Sequence, residues 1–186
     1  METLIFNTLN EAIVAVTKLT ADENLTKRQR EYAGAKILFE KILNQNVEIA
    51  HDENGIPFLK DNSLKISISH SKTYVAVISH STQKVGIDIE DISDKILRLA
   101  ERFLSKKELK IIPQSPENYT IAWAAKEAAY KIIGKGATNF RQSLEIQKIE
   151  KVSTESTIPL KYINKNKNFI FKFKILSNSV LVWGNE

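Results

Sequence analysis

Val85-Gly86-Ile87-Asp88-Ile89-Glu90 places apolar and acidic side chains on alternating residues. That is the period of a β-strand whose two faces meet different surroundings. Val85, Ile87 and Ile89 form a row expected to face a core. Asp88 and Glu90 share the opposite face, with Cα atoms about 6.6 Å apart at a rise of ~3.3 Å per residue. Two carboxylates at that spacing repel unless solvent or a cation lies between them. A solvent-facing strand edge meets that condition, and so does a site for a hard divalent ion such as Mg²⁺. The hexapeptide leaves both open.

The flanking segments extend this strand into a sheet. Upstream, Leu64-Lys65-Ile66-Ser67-Ile68-Ser69 alternates in the same way, and residues 74–79 are dense in β-branched side chains. Ser81-Thr82-Gln83-Lys84 turns the second of these into the 85–90 strand, predicting an antiparallel meander. A helix is predicted before it, from about Thr26 to Leu43, with Tyr32, Ala35, Ile37, Leu38 and Ile42 as its apolar face. Its first turns carry Lys27, Arg28 and Arg30, which the helix dipole disfavours at that end. Asp52-Glu53-Asn54-Gly55-Ile56-Pro57 is a turn.

Downstream, residues 94–110 form a basic amphipathic stretch, inside which Ser105-Lys106-Lys107-Glu108 has the form of a capping box. Pro113 and Pro116 interrupt it. A strong helix then runs from about Glu117 to Ile133 and stops at Gly134. Phe169, Phe171, Phe173 and Ile175 alternate with Ile170, Lys172 and Lys174, and Val180-Leu181-Val182-Trp183 makes a last strand. Helix followed by strands occurs twice. The expected fold is α+β with two similar lobes, each a helix on a mainly antiparallel sheet, with boundaries at 1–85 and 86–186.

Composition narrows the function. The chain has 186 residues, 42% hydrophobic and 26% charged, which suits a globular protein rather than a disordered one. The absence of cysteine excludes disulfides, zinc–thiolate sites, iron–sulfur clusters and a cysteine nucleophile. No apolar run approaches the ~20 residues of a membrane span. The first residues lack a basic stretch followed by a long apolar one. A cytoplasmic protein without membrane association is expected. Lys and Arg outnumber Asp and Glu by 27 to 22, a mild excess that suits an anionic small molecule or an acidic protein partner. No arginine-rich tract, zinc finger or stacked-aromatic motif points to nucleic acid.

Two further stretches carry chemistry. In Trp123-Ala124-Ala125-Lys126-Glu127-Ala128-Ala129-Tyr130-Lys131, residues 123, 127 and 131 fall on one narrow helical face. Glu127 and Lys131 could be an ordinary i,i+4 surface pair, but the alanines beside them allow a close approach by another backbone or a ligand. In Ser67-Ile68-Ser69-His70-Ser71, hydroxyls and an imidazole gather at a strand end. They could serve a phosphate or simply the turn. A serine–histidine hydrolase is excluded: there is no Gly-x-Ser-x-Gly elbow, and residues 69 and 70 point to opposite faces of a strand.

In this order, Ile68-Ser69-His70-Ser71, Val85 through Glu90, Arg102-Phe103-Leu104-Ser105-Lys106-Lys107-Glu108, Trp123 through Lys131 and Gly134-Lys135-Gly136 resemble the 4′-phosphopantetheinyl transferases of the larger, surfactin-synthetase-activating type. The match covers roughly residues 28–140, and the last 45 or so agree only in being β-rich. The resemblance implies transfer of the 4′-phosphopantetheine arm of coenzyme A to a serine of an acyl or peptidyl carrier protein, with Mg²⁺ as cofactor and 3′,5′-ADP released. Asp88, Glu90 and Glu127 match the metal-binding acids, Ser69 and His70 the residues at the 3′-phosphate, and Lys131 a lysine at the pyrophosphate. Glu127 and Lys131 are the candidate catalytic residues. Gly55 and Pro57 match an adenine-side turn, where the family often has Gly-Lys-Pro and this chain has Gly55-Ile56-Pro57. Arg28, on a helix that also carries Lys27, Arg30 and Lys36, is the candidate for a further phosphate contact. The resemblance further implies that the lobes are pseudo-symmetric with the active site between them, and this two-lobed family pattern implies a monomer. A basic stretch with apolar neighbours, Lys95, Arg98, Arg102, Lys106 and Lys107 beside Leu99, Phe103 and Leu104, suits an acidic carrier. The alternatives are a non-catalytic coenzyme A or carrier-binding homologue and a Mg²⁺-dependent phosphodiesterase.

Overall fold

The computed structural model describes residues 3–7, 11–19, 24–134, 139–149 and 155–186. The fold is α+β with antiparallel sheets, as expected. A four-stranded sheet has the order β1 (Thr3–Asn7), β2 (Ile13–Lys18), β6 (Tyr74–His80), β5 (Lys65–His70). A five-stranded sheet has the order β7 (Val85–Asp91), β11 (Ser179–Asn185), β10 (Lys167–Leu176), β9 (Glu155–Tyr162), β8 (Leu144–Ile146). A two-stranded hairpin, β3 (Ile49–His51) with β4 (Pro57–Leu59), closes on the turn at Asp52. Strands β1 and β2 precede the first helix, so the simple repeat of helix followed by strands does not hold at the N-terminal end. Ala15 lies in one core cluster and Val14 and Val16 in another. Both faces of β2 meet apolar clusters, so it has no polar row and its sequence shows no alternation.

Helix α1 (Lys27–Leu43) begins at Thr26, whose side chain accepts a hydrogen bond from the Gln29 backbone while the Gln29 side chain accepts one from the Thr26 backbone. This reciprocal cap offsets the basic first turn. The helix buries Gly34, Ala35, Leu38 and Phe39 on the four-stranded sheet. Gly34 is required there, because a Cβ would stand 2.6 Å from Val75 Cγ1. Tyr32 and Ile37, expected in the apolar face, are exposed. The burying stripe runs 35, 38, 39, 42, and Phe39 takes the place those two were assigned.

After β7 come α2 (Lys95–Phe103), the short α3 (Glu108–Ile111) and the long α4 (Pro116–Ile133). Ser105 and Glu108 form the expected capping box: the Glu108 carboxylate accepts from the Ser105 backbone at 2.7 Å and Ser105 Oγ accepts from the Glu108 backbone at 3.2 Å. Pro116 occupies the first turn of α4, where a missing N–H costs nothing. Gly134 caps the far end at φ 75°. Helix α4 lies on β7 and β11. At Gly86 a Cβ would run into the Ala128 carbonyl, so the glycine and the alanines together set the depth to which α4 sinks onto β7. A last short helix, α5 (Phe140–Ser143), leads into β8.

Candidate active site

Strand β7 is covered on both faces. Val85, Ile87 and Ile89 pack into the cluster with Val14, Val16, Ala76 and Ile78. The opposite face, with Gly86, Asp88 and Glu90, lies under α4. Asp88 is only 4% exposed, so the solvent-facing strand edge is ruled out for it. Strands β5 and β7 are edge neighbours without a regular ladder, and serines take over the linkage. Ser69 Oγ accepts from the Ile89 backbone at 3.3 Å and donates to Asp88 Oδ1 at 2.7 Å, while Ser67 Oγ accepts from the Ile87 backbone at 3.4 Å. Ser69 is itself buried. It therefore orients Asp88 and does not line the open cavities.

The 123/127/131 face of α4 meets these acids. Trp123 Nε1 donates to Glu90 Oε1 at 3.1 Å. Lys131 Nζ donates to the Ile87 carbonyl at 2.7 Å and to Asp88 Oδ1 at 2.9 Å. Lys131 reaches across to the strand, so the simple surface pair with Glu127 gives way to a helix-to-strand ion pair. Burial pushes the Glu90 carboxyl up to about 7, and the neighbouring Asp88 charge adds to the effect; the Trp123 hydrogen bond and Lys131 oppose it, and Glu127 reinforces it weakly. Burial also raises Glu127, again helped by Asp88. Among the described residues no group of three or more His, Asp or Glu side chains is arranged to hold a metal ion. The chemistry of the set nevertheless fits a hard cation. Asp88 Oδ2 is buried with no hydrogen-bond partner, and both glutamates stand in the unfavourable field of Asp88. An orphaned carboxylate oxygen among mutually repelling acids is what a divalent ion relieves.

Two cavities flank this cluster, with Lys131 in the wall of one and Glu90 in the wall of the other, while Asp88 and Glu127 line neither. The larger, about 1040 Å³, is lined by Arg28, Glu31, Gly55, Pro57, His70 and Lys131, among others. It gathers every expected nucleotide-side residue except the buried Ser69. The smaller, about 650 Å³, has Glu90 and Trp123 in its wall with Lys27, Lys95, Leu99 and Arg102, and shares His70 with the first. Phe103 and Leu104, expected to offer apolar surface, are 2% and 0% exposed and belong to the core. Lys135 and Gly136 lie outside the described residues.

One buried feature was not anticipated. Lys126 and Glu108 form an ion pair at 2.7 Å with both side chains wholly buried. Lys126 also donates to the carbonyls of Phe103 and Leu144, each at 2.8 Å. Glu108 accepts from the Ile146 backbone at 2.8 Å as well as from Ser105. Burial depresses the Lys126 ammonium, and Glu108 opposes that shift. The capping box was the only hint in the sequence, since it fixes where Glu108 points.

A model of the 4′-phosphopantetheinyl transferase superfamily matches residues 84–179, just over half of the chain. The chain belongs to this superfamily. The matched segment runs from β7 through α4 and into β11, and so contains Asp88, Glu90, Glu127 and Lys131. Among curated relatives, the 4′-phosphopantetheinyl transferase gsp of Aneurinibacillus migulanus is 36% identical over 100 residues, covering 51% of this chain and 41% of the relative. The 4′-phosphopantetheinyl transferase psf-1 of Bacillus pumilus is 37% identical over 89 residues, covering 45% and 38%. The aligned stretch thus spans about two fifths of each relative's own length. No helix among the described residues is long and apolar enough to cross a membrane.

Proposed function

We propose that this superfamily member transfers the 4′-phosphopantetheine arm of coenzyme A to a serine of an acyl or peptidyl carrier protein. The observation that carries this reading is that Lys131 and Glu90, which flank Asp88, line a nucleotide-sized cavity and a second, basic one that share His70. Cavities of this volume are typical of ligand sites. In this reading Arg28, His70 and the Gly55–Pro57 turn hold the adenosine 3′-phosphate end, and the carrier's serine arrives through the smaller cavity. The lobes meet along β5 and β7, with residues 1–85 on the nucleotide side and 86–186 carrying the acids.

Asp88, Glu90 and Glu127 would hold Mg²⁺, which supplies a positive charge at the pyrophosphate. Lys131, anchored by the Ile87 carbonyl, places a fixed ammonium beside the same oxygens. The carrier serine oxygen bonds to the β-phosphorus, the bond from that phosphorus to the bridging oxygen breaks, and 3′,5′-ADP leaves with the electron pair. The hydroxyl proton passes to Glu127. Burial and the Asp88 charge raise its carboxyl and so make it a better proton acceptor than an ordinary glutamate, whereas Lys131 already donates to two acceptors.

Mass spectrometry of an apo-carrier incubated with the protein, coenzyme A and Mg²⁺ tests this directly. The expected outcome is a phosphopantetheine-sized mass gain on the carrier, lost in Asp88→Ala although that variant keeps its circular dichroism spectrum. Hydrolysis of coenzyme A with an unmodified carrier would instead mark a phosphodiesterase. Binding without either product would mark a non-catalytic homologue.

A further inference from the structure

His70 is the expected phosphate contact, yet a carboxylate stands beside it. Glu31 lies in the wall of the larger cavity with Oε1 3.1 Å from His70 Nδ1. That oxygen is buried and receives no well-aligned hydrogen bond. Lys27 approaches it only to 3.5 Å from an exposed position. A lone carboxylate in an anion pocket opposes the anion. The arrangement makes sense only through the proton count of the ring between them. At that distance a proton on Nδ1 would face Glu31. A neutral ring with its proton on Nδ1 offers only a lone pair at Nε2, which a phosphate oxygen would meet unfavourably. Nε2 has no protein partner among the described residues. A doubly protonated ring satisfies both neighbours, donating to Glu31 on one side and to phosphate on the other.

We propose that Glu31 is a specificity-determining residue: the Glu31–His70 pair couples binding of a phosphate monoester to uptake of a proton, so that the 3′-phosphate of coenzyme A is recognised as a proton-linked group. This rests on the proposed function above. The other titratable and charged groups of the two cavity walls are Lys27, Arg28 and Tyr32 from α1, His51 from β3, Lys72 after β5, Glu90 and Asp91 from β7, Lys95 and Arg102 from α2, and Tyr130 and Lys131 from α4. The lysines and arginines attract phosphate without any change of protonation state, and Glu31→Gln separates the pair from His51.

Calorimetric titration at pH 8 in two buffers of different protonation enthalpy tests the inference, with coenzyme A and dephospho-coenzyme A as ligands. Coenzyme A should bind with uptake of about one proton and dephospho-coenzyme A with none. Glu31→Gln should remove that difference and narrow the preference for coenzyme A by about tenfold, as expected for loss of a charge-assisted contact. Equal proton uptake by the two ligands would overturn the inference while leaving the transferase reading standing. Tighter coenzyme A binding in Glu31→Gln would do the same, because Glu31 would then be merely repulsive. Binding of neither ligand would overturn both.

Discussion

Helix α4 carries an ammonium–carboxylate pair on each of two faces, and the pairs differ in kind. Toward α3 and β8, Lys126 and Glu108 are sealed from solvent, and partners surround both. Toward β7, Lys131 meets Asp88 at 2.9 Å, but the lysine is 26% exposed and one Asp88 oxygen has no partner. The first pair is complete and fixes where the helix sits. The second is incomplete in the absence of a ligand, and its acids stand in each other's field. Both faces share one rigid rod, so the satisfied pair holds the unsatisfied one at a constant distance from the strand. That division is a general way to keep a strained binding site without unfolding the scaffold.

The comparison breaks most sharply at Lys126. Lys126→Met leaves a buried, unpaired carboxylate and should cost about 3–5 kcal/mol in chemical denaturation. Pairing it with Glu108→Leu should recover most of the loss, because a buried pair exchanged for apolar groups is often close to neutral. If the single variant loses little, the pair is not holding the helix. Gly86→Ala comes next. The added methyl must displace the Ala128 carbonyl, at a cost of about 1–3 kcal/mol. It should also weaken the Lys131–Asp88 contact, so carrier modification should fall by more than the stability loss alone explains.

The sequence revealed some of these features and hid others, for identifiable reasons. Strand β7 and the 123/127/131 face were readable because each has one period and one polar face. The capping box at Ser105 was readable because its geometry is local. Strand β2 was not, since it is covered on both sides and shows no alternation. Lys126 and Glu127 are neighbours of opposite charge on a helix, and sequence alone cannot tell that one is wholly buried in a core and the other stands half-buried beside Asp88. Glu31 looks like the i,i+4 partner of Lys27, and it does approach that lysine. Its contact with His70 depends on α1 crossing the end of β5, a tertiary fact with no local signature. Tyr32 and Ile37 misled for the same reason: helical period marks a stripe, and the sheet beneath chooses which stripe is buried.

The smallest effect tests the incomplete face by itself. Glu90 carries a carboxyl raised from 4.5 to about 7, so between those values the folded protein binds more protons than the unfolded chain. Stability must then fall as pH rises through that window. Replacing Glu90 by Gln removes its share of that dependence and leaves the share of Glu127. In metal-free buffer Glu90→Gln should match the parent near pH 5 and melt higher at pH 8. Discounted for solvent reaching the site, the gain is on the order of 1 kcal/mol, or a few degrees in Tm. Adding Mg²⁺ at pH 8 should raise the parent's Tm and close the gap, since only the parent keeps all three acids to hold the ion. Scanning calorimetry at the two pH values, with and without the ion, decides it. A parent that is more stable than Glu90→Gln at pH 8 without metal would mean that Glu90 is already compensated by the protein, and the contrast between the two faces of α4 would disappear.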